Sequence, residues 1–208
     1  MIRIKESELI LNPDGSIYHL NLKPEDISDT ILFVGDQDRV EKITKHFDTI
    51  EFSTQKREFK TQTGTYKGKR ISVISTGIGP DNIDIVLNEL DALINIDFTT
   101  RTIKKKLNSL NIIRIGTSGS LQSDIPVDSF LIGTHGLDLN GMLHFYKLKD
   151  ICNHEIENAF MNHTHWNSNK ARPIFINNSL ELERIFESRQ TYKGITGTAG
   201  GFYGPQGR

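Results

Sequence analysis

Strand-like and helix-like segments alternate along this 208-residue chain, and the alternation constrains the fold more than any other feature. The β-branched and aromatic run TILFV ends at Gly35 and gives way to DQDRVEKITKHF, which has helical spacing. A longer segment, PDNIDIVLNELDALINI, places apolar residues on one helical face and acidic or amide residues on another. The pattern favours an α/β fold with a mixed central β-sheet flanked by helices, and such folds bind ligands at strand ends.

The remaining elements fit the same architecture. Further strands are predicted in EFSTQKREFKTQTGTY, KRISVIST, NIIRIG, SFLIGTHG and KGITGTA, and SLELERIFESR predicts another helix with Ser179 as its N-cap. Neither a Pro/Gly-rich linker nor a shift in composition divides the sequence, so we expect a single domain over residues 1–208. The final segment, GGFYGPQGR, is rich in turn residues and leads into no closing helix or strand, which predicts a domain cut short at its C-terminal end.

Charge and cysteine content exclude several classes of protein. Lys and Arg number 25 against 26 Asp and Glu, a net charge of −1, so no general basic field attracts nucleic acid or an anionic membrane. No apolar stretch of about 18 residues is present to span a bilayer, and the start does not resemble a signal peptide. Cys152 is the only cysteine, which excludes an intramolecular disulfide and fits a reducing compartment. We therefore expect a cytoplasmic protein whose anion site, if present, is local.

One arginine stands in an apolar strand. Arg114 interrupts the run NIIRIG, where an unpaired buried cation costs roughly several kcal/mol to desolvate. We expect Arg114 to lie in a buried strand and to require an anionic partner. The following loop offers Thr117 and free backbone amides to the same anion. The alternative is a structural carboxylate paired with Arg114.

A second anion-binding pattern follows the first strand. Gly35 lacks a side chain and lets an anion approach the backbone, and Arg39 stands where the next helix begins. The segment matches neither the Walker loop nor the dinucleotide-binding glycine pattern. It predicts half of a phosphate site that shares its phosphate with the Arg114 loop, or else an ordinary turn with a surface arginine.

In their order and rough spacing, these motifs resemble those of the nucleoside phosphorylase family, which contains uridine phosphorylases and hexameric purine enzymes. The family's Gly-Asp-x-x-Arg turn corresponds to Gly35 and Arg39, and its Arg-x-Gly-Thr strand end corresponds to Arg114 and Thr117. The resemblance implies the fold of that family and implies that these four residues bind phosphate. Inorganic phosphate is then a co-substrate, and no metal or organic cofactor is expected.

The resemblance also implies a site shared between subunits. The family sends an arginine from an Arg-Glu-Phe segment into the neighbouring subunit's phosphate site, and a histidine near the N-terminus to the neighbour's ribose. Here these positions are Arg57 and His19, neither of which is informative alone. The implied active unit is at least a homodimer, and the family also forms hexamers.

The terminal FYGPQGR resembles the Phe-Tyr-x-x-Gln-x-Arg segment with which uridine phosphorylases bind uracil. The segment LDLNGMLHF, residues 137–145, resembles a second stretch of the family in the form that uridine phosphorylases have. The amide of Gln206 can donate to a uracil carbonyl and accept from a ring N–H, Arg208 can donate to a carbonyl, and Phe202 can pack on the base. The alternative is a Gly-rich loop with incidental polar residues.

Together these features predict reversible phosphorolysis of uridine to uracil and ribose 1-phosphate. Arg39 and Arg114 neutralise and position the phosphate, and Arg208 stabilises the leaving uracil. The alternatives are a related purine nucleoside phosphorylase, a nucleosidase that uses water, and a non-catalytic phosphate- or nucleobase-binding protein. The last remains open because the family's ribose-binding Glu stretch has no counterpart in this sequence.

Overall fold

The structure is a computed structural model that describes residues 2–186 and 191–207. The chain divides into two compact units, residues 1–117 and 118–208, which are described in turn. The single domain expected from the sequence stays a prediction. None of the helices in the described part combines the length and apolarity that crossing a membrane requires.

The first unit contains a five-stranded mixed sheet with the order β2-β3-β4-β1-β7. Its elements in chain order are β1 (Thr30–Val34), α1 (Asp38–Thr44), β2 (Thr49–Lys56), β3 (Phe59–Tyr66), β4 (Lys69–Ser75), α2 (Pro80–Asn95), β5 (Ile96–Asp97), β6 (Thr102–Ile103) and β7 (Asn111–Arg114). Strands β4, β1 and β7 are parallel, whereas β2, β3 and β4 pair antiparallel. The mixed central sheet predicted from the sequence is confirmed.

Two helices cover the sheet of the first unit on opposite faces. Successive side chains of a strand point to opposite faces, and β1 follows this rule. Ile31 and Phe33 share one buried cluster with Leu90 of α2, whereas Val34 belongs to a separate cluster with Val40 of α1. The helical periodicity predicted for α2 therefore corresponds to a real apolar face.

The parallel strands determine where their loops lie. Because β4, β1 and β7 run in the same direction, their carboxyl ends meet at one edge of the sheet. Strand β3 runs antiparallel to β4, so the turn between β2 and β3 reaches the same edge. We call this edge the carboxyl edge, defined by residues 35–39, 57–58, 76–79 and 114–117.

The second unit contains a three-stranded sheet with the order β10-β8-β9. Its elements are β8 (Leu131–Asp138), α3 (His154–Thr164), β9 (Ile174–Asn177), α4 (Leu180–Phe186) and β10 (Tyr192–Thr198). The backbone amide of Leu182 donates to Ser179 Oγ at 3.4 Å, in agreement with the predicted N-cap. Helix α3 and strand β9 go beyond the elements predicted from the sequence.

Helix α3 is anchored by a buried carboxylate. The side chain of Glu157 is 2% exposed and accepts hydrogen bonds from Arg172 Nη2 at 2.8 Å and the Phe175 amide at 3.2 Å, while its Oε2 lies 2.8 Å from His154 Nδ1. Burial acts to raise the pKa of Glu157, but these hydrogen bonds and the Arg172 charge outweigh it and hold that pKa below its ordinary value.

Glu157→Gln is predicted to destabilise the protein by about 2 kcal/mol near neutral pH, because it removes charged hydrogen bonds from a buried site. A carboxylate whose pKa is lowered on folding stabilises the folded protein at pH values above its ordinary pKa, here 4.5. That contribution is lost as the pH falls through the lowered pKa. The difference from the unaltered protein should therefore shrink in acid, measured by urea unfolding at neutral and acidic pH. Glu155→Gln, at an exposed position of the same helix, is the control and should change little; an equal loss at both pH values would contradict the assignment.

Candidate functional site

The first candidate segment joins β1 to α1 at the carboxyl edge. Gly35 follows the last residue of β1, and Arg39 is the second residue of α1 and half-buried. Beside Gly35 the space is open, since the nearest atom to an ideal Cβ there is the Gly77 carbonyl oxygen at 3.9 Å. The structure leaves this space open, and the approach of an anion to the Gly35 backbone stays a prediction.

Arg114 lies at the carboxyl edge but is not buried, and that part of the prediction was wrong. Strand β7 is the outer strand of the described five-stranded sheet, and the Arg114 side chain is exposed. Its register partner is Phe33 near the end of β1, so the two predicted halves do stand on neighbouring parallel strands. The Arg114 guanidinium lies against Gly116, where an ideal Cβ would clash with Nη1. Thr117 follows in the same exposed loop.

Arg57 reaches the same edge through the β2–β3 turn. Its backbone φ of 54° is in the left-handed region, and its conformation is supported by side-chain contacts to the turn. Gln37 Nε2 donates to the Arg57 carbonyl at 2.5 Å, and Gln55 Nε2 donates to Gln37 Oε1 at 2.9 Å. Ser75 Oγ at the end of β4 donates to the Glu58 carbonyl at 2.6 Å. The turn is thus attached to both the β1–α1 loop and β4.

The guanidinium groups of these three arginines all lack a partner among the described residues. Within residues 2–186 and 191–207, the guanidinium groups of Arg39, Arg57 and Arg114 form neither a hydrogen bond nor an ion pair. The other arginines of the first unit have carboxylate or carbonyl partners: Arg3, Arg70 and Arg101. Guanidinium groups with free donors suit a phosphate, which accepts bidentate hydrogen bonds from them. The carboxyl edge is therefore a candidate phosphate site.

His19 lies in the loop before β1, and its ring is fixed by α2. Its Nδ1 is 2.6 Å from Glu89 Oε1, and the same carboxylate accepts from the backbone amides of His19 and Leu20. Lys56, the residue before Arg57, donates to the Tyr18 carbonyl at 2.5 Å. The structure therefore brings together the two segments that the sequence analysis assigns to a neighbouring subunit's site.

The candidate base-binding residues lie in the second unit. Phe202 is 60% exposed and packs edge-to-face on Tyr203. Gln206 ends a short 3-10 turn, and its Nε2 donates to the Gly201 carbonyl at 3.2 Å. Arg208 lies outside the described residues. Two of the three predicted base-reading side chains are thus described, and both are exposed.

Parallel pairing of β8 and β10 brings the loop containing Asn140 next to this segment. The Leu139 amide donates to the Thr198 carbonyl at 3.1 Å, and Asn140 Nδ2 lies 3.4 Å from the same oxygen. An ideal Cβ at Gly200 would be 2.6 Å from Asn140 Oδ1, so the two loops touch where position 200 carries no side chain. The two stretches that resemble uridine phosphorylases are therefore neighbours within this unit.

Three residues that hold these segments were not predicted from the sequence: Gln37, Glu89 and Asn140. Gln37 and Glu89 act on backbone groups far away in sequence, which no local pattern reveals. Asn140 lies within LDLNGMLHF, so the stretch was noticed without the residue. No group of three or more potential metal ligands occurs among the described residues, and the expected absence of a cofactor stays a prediction.

Comparison with known proteins supports the fold. A family model described as the Phosphorylase superfamily matches residues 29–208, which include the candidate phosphate and base segments but not His19. This chain also matches the solved structure of a Trypanosoma brucei nucleoside phosphorylase that is described as showing uridine phosphorylase activity. The TM-score is 0.83 at 29% identity, and the match covers 96% of this chain and 71% of that one. The predicted nucleoside-phosphorylase-like fold is confirmed.

Curated relatives include both pyrimidine and purine enzymes. A uridine phosphorylase of Thermococcus kodakarensis is 35% identical over 128 residues, 62% of this chain and 41% of that protein. A DeoD-type purine nucleoside phosphorylase of Clostridium novyi is 34% identical over 134 residues, 60% of this chain and 52% of that protein. The matched part of this chain thus spans about two fifths to one half of these two relatives.

Gly116→Ala is predicted to weaken phosphate binding about tenfold, because the new methyl group displaces the Arg114 guanidinium and removes a charged hydrogen bond. Stability should change little, since the group displaced is the end of a flexible side chain. Titration calorimetry with inorganic phosphate measures the affinity. Gly136→Ala, where an added Cβ meets nothing within 4 Å, is the control; equal affinities in the two variants would contradict the prediction.

Proposed function

The chain belongs to the phosphorylase superfamily, and on that basis we propose that it catalyses the reversible phosphorolysis of uridine to uracil and ribose 1-phosphate. The observation that carries the proposal is the set of unpaired guanidinium groups at the carboxyl edge. Arg39, Arg57 and Arg114 have no carboxylate partner among the described residues, whereas the other arginines of the first unit are occupied. An oxyanion substrate is the partner that best fits these groups.

Phosphate is already a nucleophile, so it needs position and partial charge neutralisation more than activation. Arg39 and Arg114 direct guanidinium donors to its oxygens, and the Gly35 amide and Thr117 hydroxyl complete the contacts. This arrangement aligns one phosphate oxygen with C1′ of the nucleoside and stabilises the oxocarbenium-like transition state. The phosphate oxygen forms a bond to C1′ as the bond from C1′ to the uracil nitrogen breaks, and uracil leaves with the electron pair.

The base-reading segment favours a pyrimidine. Gln206 offers both a donor and an acceptor, and together with Arg208 it stabilises the negative charge that grows on the uracil oxygens. Phe202 supplies an exposed aromatic surface for the base. A purine nucleoside is the second candidate substrate, since a purine nucleoside phosphorylase is among the curated relatives at similar identity. Comparing uridine with inosine at equal phosphate concentration separates the two.

The active unit is proposed to be a homodimer or a larger assembly that contains it, such as a hexamer. His19 and Arg57 belong to hydrogen-bonded neighbouring segments, and this supports the idea that they enter a partner's site together. The reaction uses inorganic phosphate and no metal or organic cofactor. The lone cysteine supports a location in a reducing compartment, the cytoplasm.

The assay for this proposal is ultraviolet detection of uracil from uridine with and without inorganic phosphate. Product formation should require phosphate, and Arg114→Gln and Arg39→Gln should each lower kcat/KM by about a hundredfold or more, since each removes a charged donor from the transition state. Arg3→Gln, which removes an exposed arginine paired with Glu6, is the matched control and should retain activity.

Two outcomes would contradict phosphorolysis. Phosphate-independent release of uracil would indicate a nucleosidase, and binding of uridine and phosphate without turnover would indicate a binding protein.

Mixing two inactive variants tests the shared site. Arg57→Gln and Arg114→Gln are each expected to be nearly inactive, but a hybrid dimer contains one site with an intact Arg114 from one chain and an intact Arg57 from the other. Activity should therefore return after subunit exchange, up to about a quarter of the unaltered level for random pairing. Continued inactivity despite hybrid formation, verified by mass spectrometry, would show that Arg57 acts within its own chain.

A further inference from the structure

The side chain of Glu89 makes a set of contacts that the proposed chemistry does not use. It lies on α2 with 13% of its side chain exposed and reaches the loop before β1. Its Oε2 accepts from the Leu20 amide at 2.8 Å, and its Oε1 lies 2.6 Å from His19 Nδ1. The His19 amide lies 3.0 and 3.1 Å from the two oxygens. One carboxylate thus holds both the backbone and the ring of His19.

The chemistry of these contacts determines which ring nitrogen of His19 carries the proton. An ionised carboxylate only accepts hydrogen bonds, so His19 Nδ1 must donate to Glu89. In the neutral ring, Nε2 then has no proton and is a hydrogen-bond acceptor. No other described residue contacts Nε2 with a hydrogen bond, which leaves it available to a ligand.

We propose that Glu89 is the positioning residue for His19: it orients the ring and holds the tautomer in which Nε2 accepts a hydrogen bond from a hydroxyl group of the nucleoside's sugar. The role of His19 at the sugar rests on the proposed function, but the orientation and tautomer do not. In metal and catalytic sites, a carboxylate that accepts a hydrogen bond from one ring nitrogen of a histidine fixes the orientation and the tautomer of that ring.

Glu89→Gln is the informative variant because the backbone dictates how glutamine must lie. The Leu20 amide needs an acceptor, so the glutamine oxygen takes the place of Oε2 and the amide nitrogen takes the place of Oε1. That nitrogen donates to Nδ1, which must then be unprotonated. The tautomer of His19 should therefore invert, with the proton on Nε2.

Long-range ¹H–¹⁵N NMR spectra of the full chain at alkaline pH, with His19 assigned by a His19→Ala variant, measure this directly. We expect a protonated Nδ1 in the unaltered protein and in Glu51→Gln, a control that removes the carboxylate paired with Arg70. We expect a protonated Nε2 in Glu89→Gln. A protonated Nε2 in the unaltered protein, or an unchanged tautomer in a folded Glu89→Gln, would overturn the inference whether or not the protein is a phosphorylase.

Kinetics on uridine test what the positioning does. Glu89→Ala and His19→Ala should each raise the KM for uridine about tenfold with little change in the KM for phosphate. If Glu89 acts through His19, the double variant should match His19→Ala alone, whereas multiplied losses would mark Glu89 as merely structural and overturn the positioning role. Uridine analogues that each lack one sugar hydroxyl identify the hydroxyl that binds His19. The analogue that lacks it should have the same KM with His19→Ala as with the unaltered protein. Absence of any turnover would contradict the proposed function while the tautomer measurement still decides the inference.

Discussion

Parallel hydrogen bonding of β1 to β4 and to β7 is the constraint on which the first unit depends. It brings three loops from distant parts of the sequence to one edge of a single sheet. The register of Phe33 with Arg114 places the Arg114 strand end beside the loop that follows Val34. The antiparallel β2–β3 hairpin then adds Arg57 to the same edge. Residues 35–39 and 114–117, about 80 positions apart in the sequence, thus become candidates for one ligand, and Arg57 for the ligand of a neighbouring copy.

Arg39, Arg57 and Arg114 have no carboxylate partner among the described residues, so the fold gains no ion pair from them. Side-chain contacts fix the backbone of one of the segments that carry them, the Arg57 turn. Gln37 and Ser75 bind the carbonyls of the Arg57 turn, and Gln55 supports Gln37 in turn. Rigid loops with free guanidinium groups are the arrangement expected of a preorganised anion site, since a phosphate then meets donors that need little rearrangement. The same logic extends to His19, whose orientation Glu89 determines before any sugar arrives.

Strong local patterns made much of the fold predictable. The run TILFV is β1 from Thr30 to Val34, and the apolar spacing of α2 corresponds to its buried face. Arg114 shows the limit of such reasoning: its isoleucine neighbours indicate a strand, but burial depends on whether that strand lies inside or at the edge of the sheet. The contacts of Gln37 with Arg57 and of Glu89 with His19 join residues 20 and 70 positions apart. No single-sequence pattern encodes such pairs, so the groups that position the site became visible only in the fold.

The proposed function depends on phosphate binding at the carboxyl edge, through arginines that have no protein partner among the described residues. A crystal structure of the protein grown with inorganic phosphate and uridine tests it most directly. We expect a phosphate within hydrogen-bond distance of the Arg39 and Arg114 guanidinium groups and the Gly35 amide, with Arg57 from a neighbouring copy completing the contacts. An edge without phosphate, with Arg39 and Arg114 bound to carboxylates of the protein, would contradict it.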